Sequence, residues 1–223
     1  MPLIKICGLS TQDTLTAALD AGADMIGFVF FEKSPRYVSI PLAGALGRMV
    51  KQRARKVALT VDAGDDELDV IALSLRPDLL QLHGKETPER VAAIKERYGL
   101  PVLKALGISV REDVAAAKAY AGVADWLLLD AKPPKGAALP GGNGVRFDWS
   151  LLGDLDRALP FMLSGGLDPS NVGEAIAIVR PDGVDVSSGV EDFPGMKNPD
   201  KIRAFVEAAR TAFAQSAAED PIR

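Results

Sequence analysis

The sequence predicts a single (β/α)8 TIM barrel, an α/β fold in which a closed sheet of parallel strands is surrounded by helices. Short apolar segments alternate strictly with amphipathic helical patterns, eight of each, at about 28 residues per unit. This alternation indicates parallel strands joined by right-handed crossovers. Eight units exceed the roughly six strands of a typical open doubly wound sheet, and 223 residues suffice for a barrel with little added to it.

Each predicted strand is short and nearly all apolar, as expected for a parallel strand that is covered on both faces. In chain order the strands are predicted at Leu3–Cys7, Met25–Phe30, Lys56–Val61, Leu79–Leu82, Val102–Ala105, Trp126–Asp130, Phe161–Leu163 and Gly183–Val186.

The predicted helices lie between these strands, and several begin with a capping residue followed by proline, as at Thr87-Pro88. In chain order they are Thr11–Ala21, Pro41–Arg53, Glu67–Leu75, Pro88–Tyr98, Val110–Ala121, Trp149–Asp156, Pro169–Val179 and Pro199–Phe213. We assign residues 1–216 to the barrel. Residues 217–223 are polar and include Pro221, so we expect a disordered tail there.

The composition limits the classes of function. One cysteine and one histidine exclude a disulfide framework and multi-cysteine or multi-histidine metal sites, so we expect no metal and no cofactor. A net charge of −4 argues against nucleic acid as a partner, and we interpret the basic segment 51–56 as the polar end of a helix. The chain lacks a stretch of roughly 20 apolar residues and a signal peptide. We therefore expect a cytoplasmic protein that does not bind membranes.

The active site of a barrel lies in the loops after the strands. Lys5 and Cys7 share one face of the first predicted strand, with Cys7 at its end. A neighbouring ammonium raises the thiolate fraction of a cysteine, whereas an inert buried cysteine is the alternative. His83 ends the fourth strand, where it serves either acid–base chemistry or a structural hydrogen bond. A Cys7–His83 nucleophilic pair would also need an orienting group and an oxyanion hole.

Two further side chains follow predicted strands. Asp130 ends the sixth strand, where a partly desolvated carboxyl group can act as a general acid, or alternatively as a cap for backbone amides. Arg36 follows the second strand, and its fork suits a carboxylate or phosphate unless it is simply solvated. The glycine-rich segment 141–144 indicates a lid or a backbone that approaches a ligand closely.

Small-residue turns follow the last two predicted strands. They are Ser164-Gly165-Gly166 after the seventh and Ser187-Ser188-Gly189 after the eighth. Backbone amides at these two places form the recurrent phosphate site of this fold. Two such turns in the expected units favour phosphate binding over simple tight turns.

Together these motifs resemble those of the phosphoribosylanthranilate isomerase family, in order and over essentially the whole chain. The matching segments are Lys5-Ile6-Cys7-Gly8, Ser34-Pro35-Arg36, Gln81-Leu82-His83-Gly84, Leu129-Asp130, Gly141-Gly142-Asn143-Gly144, Phe147-Asp148-Trp149, Ser164-Gly165-Gly166-Leu167 and Asp185-Val186-Ser187-Ser188-Gly189-Val190-Glu191. Asn143 departs from the family pattern, which more often has Thr or Ser there.

The resemblance implies an isomerase of tryptophan biosynthesis that needs no cofactor. Its reaction is the Amadori rearrangement of N-(5-phosphoribosyl)anthranilate to 1-(2-carboxyphenylamino)-1-deoxyribulose 5-phosphate. By resemblance, Asp130 is the general acid that opens the ribose, Cys7 is the base that removes the C2 proton, and Arg36 holds the anthranilate carboxylate. The other implied substrate-binding residues are His83, Gly142, Asn143, Gly144, Ser164, Gly165, Gly166, Asp185, Ser187, Ser188 and Gly189.

Two alternatives stay open at the level of sequence. The related sugar-phosphate isomerase of histidine biosynthesis uses two aspartates, and Cys7 at the end of the first strand argues against it. A non-catalytic barrel that binds a phosphorylated metabolite would keep the glycine turns without turnover. We expect a monomer or a homodimer whose partner is a small phosphosugar–anthranilate substrate.

Overall fold

The computed structural model describes residues 2–132, 136, 139, 141–142, 144, 146–155, 157 and 159–219. Within these residues, eight parallel strands close into a barrel in chain order, as predicted. The strands are β1 (Leu3–Cys7), β2 (Met25–Phe30), β3 (Arg55–Thr60), β4 (Leu79–Leu82), β5 (Val102–Ile108), β6 (Trp126–Ala131), β7 (Phe161–Leu163) and β8 (Gly183–Val186).

Helices surround the barrel, and the last helix packs against the first and the one before it, which joins the two ends of the ring. The helices are α1 (Gln12–Asp20), α2 (Ile40–Met49), α3 (Asp65–Leu75), α4 (Pro88–Tyr98), α5 (Arg111–Ala116), α6 (Val172–Val179) and α7 (Pro199–Glu219), with 3-10 turns at Ala117–Tyr120, Trp149–Asp154 and Ser188–Val190. None of the described helices carries an apolar stretch long enough to cross a bilayer.

Several predicted helix boundaries were wrong. The basic segment 51–56 consists of a turn at residues 51–54 and the first two residues of β3 rather than a helix end, because Lys51 and Gln52 adopt left-handed φ angles of 50° and 64°. The sixth predicted helix is a 3-10 turn, and α6 begins at Val172 instead of Pro169. Helix α7 continues to Glu219, so residues 217–219 of the predicted tail are helical, and residues 220–223 lie outside the described residues.

A short antiparallel hairpin follows β8 and was not predicted. It consists of β9 (Glu191–Phe193) and β10 (Met196–Lys197). These strands are too short and too polar to give an apolar alternating pattern. The hairpin nevertheless brings two buried charged side chains, Glu191 and Lys197, to the mouth of the barrel.

The barrel interior is filled below the mouth by an apolar cluster, formed by Met25, Val57, Leu79, Leu103, Ala105, Leu128 and Met162. A larger core packs between the strands and the helices, and includes Ile4 and Ile6 of β1. Because strand side chains alternate, Lys5 and Cys7 face the interior. Polar side chains therefore gather above the apolar cluster, at the carboxyl ends of the strands.

Candidate active site

An open cavity lies at the carboxyl ends of the strands. It contains about 750 Å³ that protein atoms do not fill, part of it open to solvent, which is the size of a small-molecule site. The predicted site residues that line it are Cys7, Arg36, His83, Asp130, Gly142, Gly144, Ser164, Gly165, Gly166, Asp185, Ser187 and Ser188. Gly189 is not among the lining residues, and Asn143 lies outside the described part of the chain.

Cys7 ends β1 and lines the cavity while only 3% exposed. It pairs in register with Gly27 of β2, where a Cβ atom would stand 2.8 Å from Cys7 Sγ. Only glycine at this position leaves room for the sulfur atom. The backbone oxygen of Cys7 accepts a hydrogen bond from Ser187 Oγ at 3.2 Å, which ties the end of β1 to the turn after β8.

A buried ion pair lies one step deeper on the same face of β1. Lys5 and Asp185 are register partners on β1 and β8, and Lys5 Nζ donates to Asp185 Oδ1 at 2.7 Å. The other oxygen of Asp185 accepts a hydrogen bond from Ser164 Oγ at 3.1 Å. Burial lowers the pKa of Lys5, but its interactions with Asp185 and, to a smaller extent, with Cys7 outweigh that effect and leave the pKa raised. Lys5 is therefore an ammonium.

The three largest effects on the pKa of the Cys7 thiol come from burial, Lys5 and Asp185. Burial raises its pKa, the Lys5 ammonium lowers it and the Asp185 carboxylate raises it again, and the net result is a pKa above the ordinary value. The sequence-based expectation gave the right sign for the effect of Lys5 and kept a buried, inert cysteine as the alternative, but it did not include Asp185. The thiolate is consequently a minor form near neutral pH in the free protein.

Asp130 is the penultimate residue of β6 and lines another part of the cavity. Its Oδ1 accepts the backbone N–H of Ala131 at 2.8 Å, and its Oδ2 lies 3.5 Å from His83 Nε2. The amide nitrogen of Gln81 lies 3.0 Å from His83 Nδ1. Because an amide nitrogen only donates, Nδ1 is assigned as the acceptor and Nε2 carries the hydrogen that faces Asp130. His83 is thus directed at the carboxyl group, which gives no support to a nucleophilic pair with Cys7.

The glycine-rich segment after β6 lies against this carboxyl group. A Cβ at Gly141 would stand 2.6 Å from His83 Nε2 and 2.7 Å from Asp130 Oδ2. Glycine therefore lets the loop backbone cover the two side chains closely. This agrees with the prediction of a backbone that comes near a ligand.

Arg36 is 5% exposed, and one edge of its guanidinium is hydrogen-bonded to Glu191, so it is not a solvated side chain. Its Nε and Nη2 donate to the two carboxylate oxygens of Glu191 at 2.8 and 2.9 Å, and Nη2 also donates to Gly142 O at 3.2 Å. Lys197 Nζ lies 2.5 Å from Glu191 Oε1. Burial raises the pKa of Glu191, but Arg36 and Lys197 outweigh it, so the pKa lies below its ordinary value. The hairpin thereby orients the guanidinium.

The two predicted phosphate turns meet at one side of the cavity. Gly165 and Gly166 have φ angles of 89° and 64°, which side-chain-bearing residues rarely adopt. Ser187 and Ser188 line the cavity beside them. Gly189 lies behind this wall, where a Cβ would overlap the carbonyl oxygen of Leu167. Its lack of a side chain allows the turns after β7 and β8 to approach each other.

Some lining residues were not identified from the sequence. An apolar wall beside Cys7 is formed by Val29, Phe31, Leu59 and Val61, at the ends of β2 and β3. Strand alternation, carried through to these strand ends, would have indicated their inward direction. For Glu191 and Lys197 the sequence held no comparable signal, because their role depends on the hairpin.

The described residues offer acid–base chemistry and anion binding. They supply one thiol, one carboxyl group next to a histidine, one oriented guanidinium and two turns with free space in front of them. No group of three His, Cys, Asp or Glu side chains among them is placed to hold a metal ion.

Residues 4–208 match the family model of N-(5'-phosphoribosyl)anthranilate (PRA) isomerase. This chain belongs to that family. A relative from Rhodopseudomonas palustris, named N-(5'-phosphoribosyl)anthranilate isomerase, is 58% identical over 210 residues, which are 94% of this chain and 99% of the relative. Membership in the phosphoribosylanthranilate isomerase family, inferred above from the strand-end motifs, is confirmed.

Solved structures of the family agree with the fold. The phosphoribosyl anthranilate isomerase from Thermotoga maritima superposes with a TM-score of 0.85 at 38% identity and covers 95% of this chain and 100% of its own. A phosphoribosyl anthranilate isomerase in complex with reduced 1-(o-carboxyphenylamino)-1-deoxyribulose 5-phosphate superposes with a TM-score of 0.81 at 35% identity, with the same coverages.

Proposed function

We propose that this protein is the isomerase that converts N-(5-phosphoribosyl)anthranilate to 1-(2-carboxyphenylamino)-1-deoxyribulose 5-phosphate. The observation that carries the proposal is the placement of Cys7 and Asp130 at the ends of β1 and β6, where they line one cavity. The reaction needs an acid at the ring oxygen and a base at C2 of the sugar, and general acid–base groups act from fixed positions around the substrate.

The first step opens the ribose ring. Asp130 donates its proton to the ring oxygen while the C1–O bond breaks, and the nitrogen lone pair forms a C1=N iminium. The hydrogen on His83 Nε2 faces the carboxylate oxygen Oδ2 that this step leaves charged. A hydrogen bond from His83 would stabilise that charge without requiring His83 to transfer a proton.

The second step moves the double bond. The Cys7 thiolate removes the proton from C2, and the C2–H electron pair forms an enolamine as the iminium nitrogen becomes neutral. Loss of the enol hydroxyl proton and protonation at C1 give the C2 ketone, so the overall reaction is an isomerisation with no net gain or loss of atoms. The thiolate, not the thiol, is the active base.

The remaining lining groups account for recognition of a dianionic aromatic substrate. Arg36 presents Nη1, which makes no hydrogen bond among the described residues, to the anthranilate carboxylate. The apolar wall that includes Val29 and Leu59 suits the anthranilate ring. The turns at Gly165–Gly166 and Ser187–Ser188 suit the phosphate. Local groups thus bind an anion although the protein is net negative.

The wider setting follows from the same proposal. The enzyme would act in tryptophan biosynthesis in the cytoplasm, as a monomer or a homodimer, with residues 1–216 as its one barrel domain. We propose the same substrate-binding role for the residues implied by the motifs, including Asn143 and Gly189.

The test follows the loss of phosphoribosylanthranilate fluorescence in a coupled assay with purified protein. We expect turnover by the wild type and a fall of at least roughly 100-fold in kcat for both Cys7→Ser and Asp130→Asn. Circular dichroism should show both variants folded. Asp66→Asn, an exposed carboxyl-to-amide change in the first turn of α3, is the matched control and should retain activity. Absence of turnover in the folded wild type would refute the proposal and favour a binding protein, and near-wild-type rates in both variants would refute the mechanism.

A further inference from the structure

The ion pair beneath Cys7 has no evident structural reason to be ionic. Lys5 is 0% exposed and Asp185 is 4% exposed. A buried ion pair contributes little net stability, because desolvation of both charges offsets their attraction. The cluster directly below consists of apolar side chains, and an apolar pair would continue it. A charged pair at this position therefore calls for a chemical explanation.

The hydrogen bonding of Lys5 leaves it available to the thiol. An ammonium has three donors: Lys5 Nζ directs one to Asp185 Oδ1, and the Cys7 side chain is its other side-chain hydrogen-bond partner. Lys5 and Cys7 lie two residues apart on the same face of β1, with Cys7 between Lys5 and the cavity. The ammonium thus lies between the Asp185 carboxylate and the Cys7 thiol and interacts with both.

We propose that Lys5, kept charged by Asp185, is a positioning residue that stabilises the thiolate form of Cys7. The proposal rests on the proposed function, in which that thiolate removes the C2 proton. Asp185 then has a defined part: it holds Lys5 in place and is itself held by Ser164, so the three groups link β1, β8 and β7.

The charged groups around the thiol support this assignment. Lys5 lowers the pKa of Cys7 more than Asp185 raises it, and Lys197 from the hairpin lowers it further, while burial acts in the opposite direction. The partner residue on β2 is the uncharged Gly27. The other charged or titratable side chains that line the same cavity are Arg36, His83 and Asp130. Lys5 is the strongest of the charges that favour the thiolate.

The experiment uses the fact that Cys7 is the sole cysteine of the chain, so any thiol signal reports on it directly. The rate of alkylation by iodoacetamide is measured against pH for the wild type and for the double variant Lys5→Gln/Asp185→Asn. This variant removes both charges together, which avoids leaving Asp185 buried and unpaired. Thiolate absorbance near 240 nm gives a second measure of the Cys7 thiolate fraction, and it does not depend on turnover.

We expect the alkylation midpoint of the double variant to move to higher pH by roughly one unit, which corresponds to about a tenfold lower thiolate fraction near neutral pH. The rising limb of kcat/KM against pH should move by the same amount. Lys33→Gln, which removes one exposed charge after β2, is the matched control and should leave both curves in place. If the neutral pair does not fold, the apolar pair Lys5→Met/Asp185→Leu serves the same test.

A midpoint that stays in place or moves to lower pH in the folded double variant would overturn the inference. An upward movement of the alkylation midpoint supports it. The alkylation readout does not depend on turnover, so loss of the proposed isomerase activity in the wild type would be seen separately in the fluorescence assay.

Discussion

Lys5 and Lys104 are both buried in barrel strands and both pair with a carboxylate, but they differ in what surrounds the ammonium. Lys5 points into the barrel from β1 and has Asp185 as its hydrogen-bond acceptor. Lys104 points outward from β5 and donates to Leu82 O at 3.2 Å, Gly84 O at 2.8 Å and Glu86 Oε2 at 2.7 Å. The Lys5 ammonium interacts with the Cys7 thiol as well as with a carboxylate, whereas all three donors of Lys104 go to oxygen atoms.

This difference separates a structural charge from a chemical one. Glu86 also accepts the backbone N–H groups of Asp62 and Gly84, so Lys104 and Glu86 together hold the loops after β3 and β4. The loop after β4 begins with His83. An ammonium with all donors satisfied can fix backbone but has nothing to offer a neighbouring reactive group. Lys5 retains that capacity and lies next to Cys7.

Lys197 resembles Lys104 in its hydrogen bonding and Lys5 in its location. Its Nζ donates to the backbone oxygen and the hydroxyl of Ser187 and lies against Glu191, so its three donors are used. Through Glu191 it acts on Arg36. A lysine whose three donors are all used, such as Lys197, thus fixes the position of a binding group, here Arg36.

The largest expected effect on stability is for Lys104, whose three donors are all used. Lys104→Met should lower the free energy of unfolding by about 3–5 kcal/mol, because Glu86 would remain as a buried, unpaired charge. Urea unfolding followed by circular dichroism measures the change. Lys95→Met, which breaks a pair whose side chains are 38% and 33% exposed, is the control and should cost far less. A loss of activity in Lys104→Met without loss of stability would contradict the structural role.

An intermediate effect is expected for the partner of Arg36. Glu191→Gln removes the charge that orients the guanidinium, and we expect KM to rise roughly tenfold with kcat little changed, since a hydrogen bond to a charged group is worth about 1.5–3 kcal/mol. Arg36→Ala should raise KM at least as much. Steady-state kinetics in the fluorescence assay measure both.

The control for this series is Asp192→Asn, the exposed neighbour of Glu191 on β9. It should leave KM near the wild-type value. An unchanged KM in both Glu191→Gln and Arg36→Ala would show that Arg36 does not hold the substrate carboxylate.

The smallest effect is expected for an ion pair on the surface. Arg53 Nη2 lies 2.7 Å from Asp20 Oδ1, with side chains 46% and 61% exposed. Arg53→Ala should change the free energy of unfolding by less than about 1 kcal/mol, because solvent screens the pair. Urea unfolding at low and high salt measures it. A larger loss of unfolding free energy would mean that burial does not explain the greater stabilisation expected from the Lys104 ion pair than from surface ion pairs.

Much of the fold could be predicted because its signals are local. Strands β1, β2, β4, β7 and β8 begin and end at the predicted residues, since their apolar segments are bounded by turn residues. The predictions failed where backbone conformation overrode the pattern, as at Lys51 and Gln52, and where the element was too short to show one, as in β9 and β10.

The candidate site divides in the same way. Cys7, Asp130 and the glycine turns could be predicted because they stand directly at strand ends, where the barrel fold places its active site. The partners of these groups could not. The sequence did not indicate that Arg36 contacts Glu191 or that His83 faces Asp130, because the members of each pair come from separate units of the barrel.

By itself, the sequence determined the eight barrel strands and the chemical groups at their ends, because periodicity and order along the chain are local properties. Only the tertiary structure decided which of these groups meet. Lys5 and Asp185 are 180 residues apart, and Arg36 and Glu191 are 155 apart, yet closure of the barrel and the hairpin after β8 bring each pair into contact. The tertiary structure also decided that the pKa of Cys7 is raised, because this shift depends on burial and on charges from β8 and the hairpin.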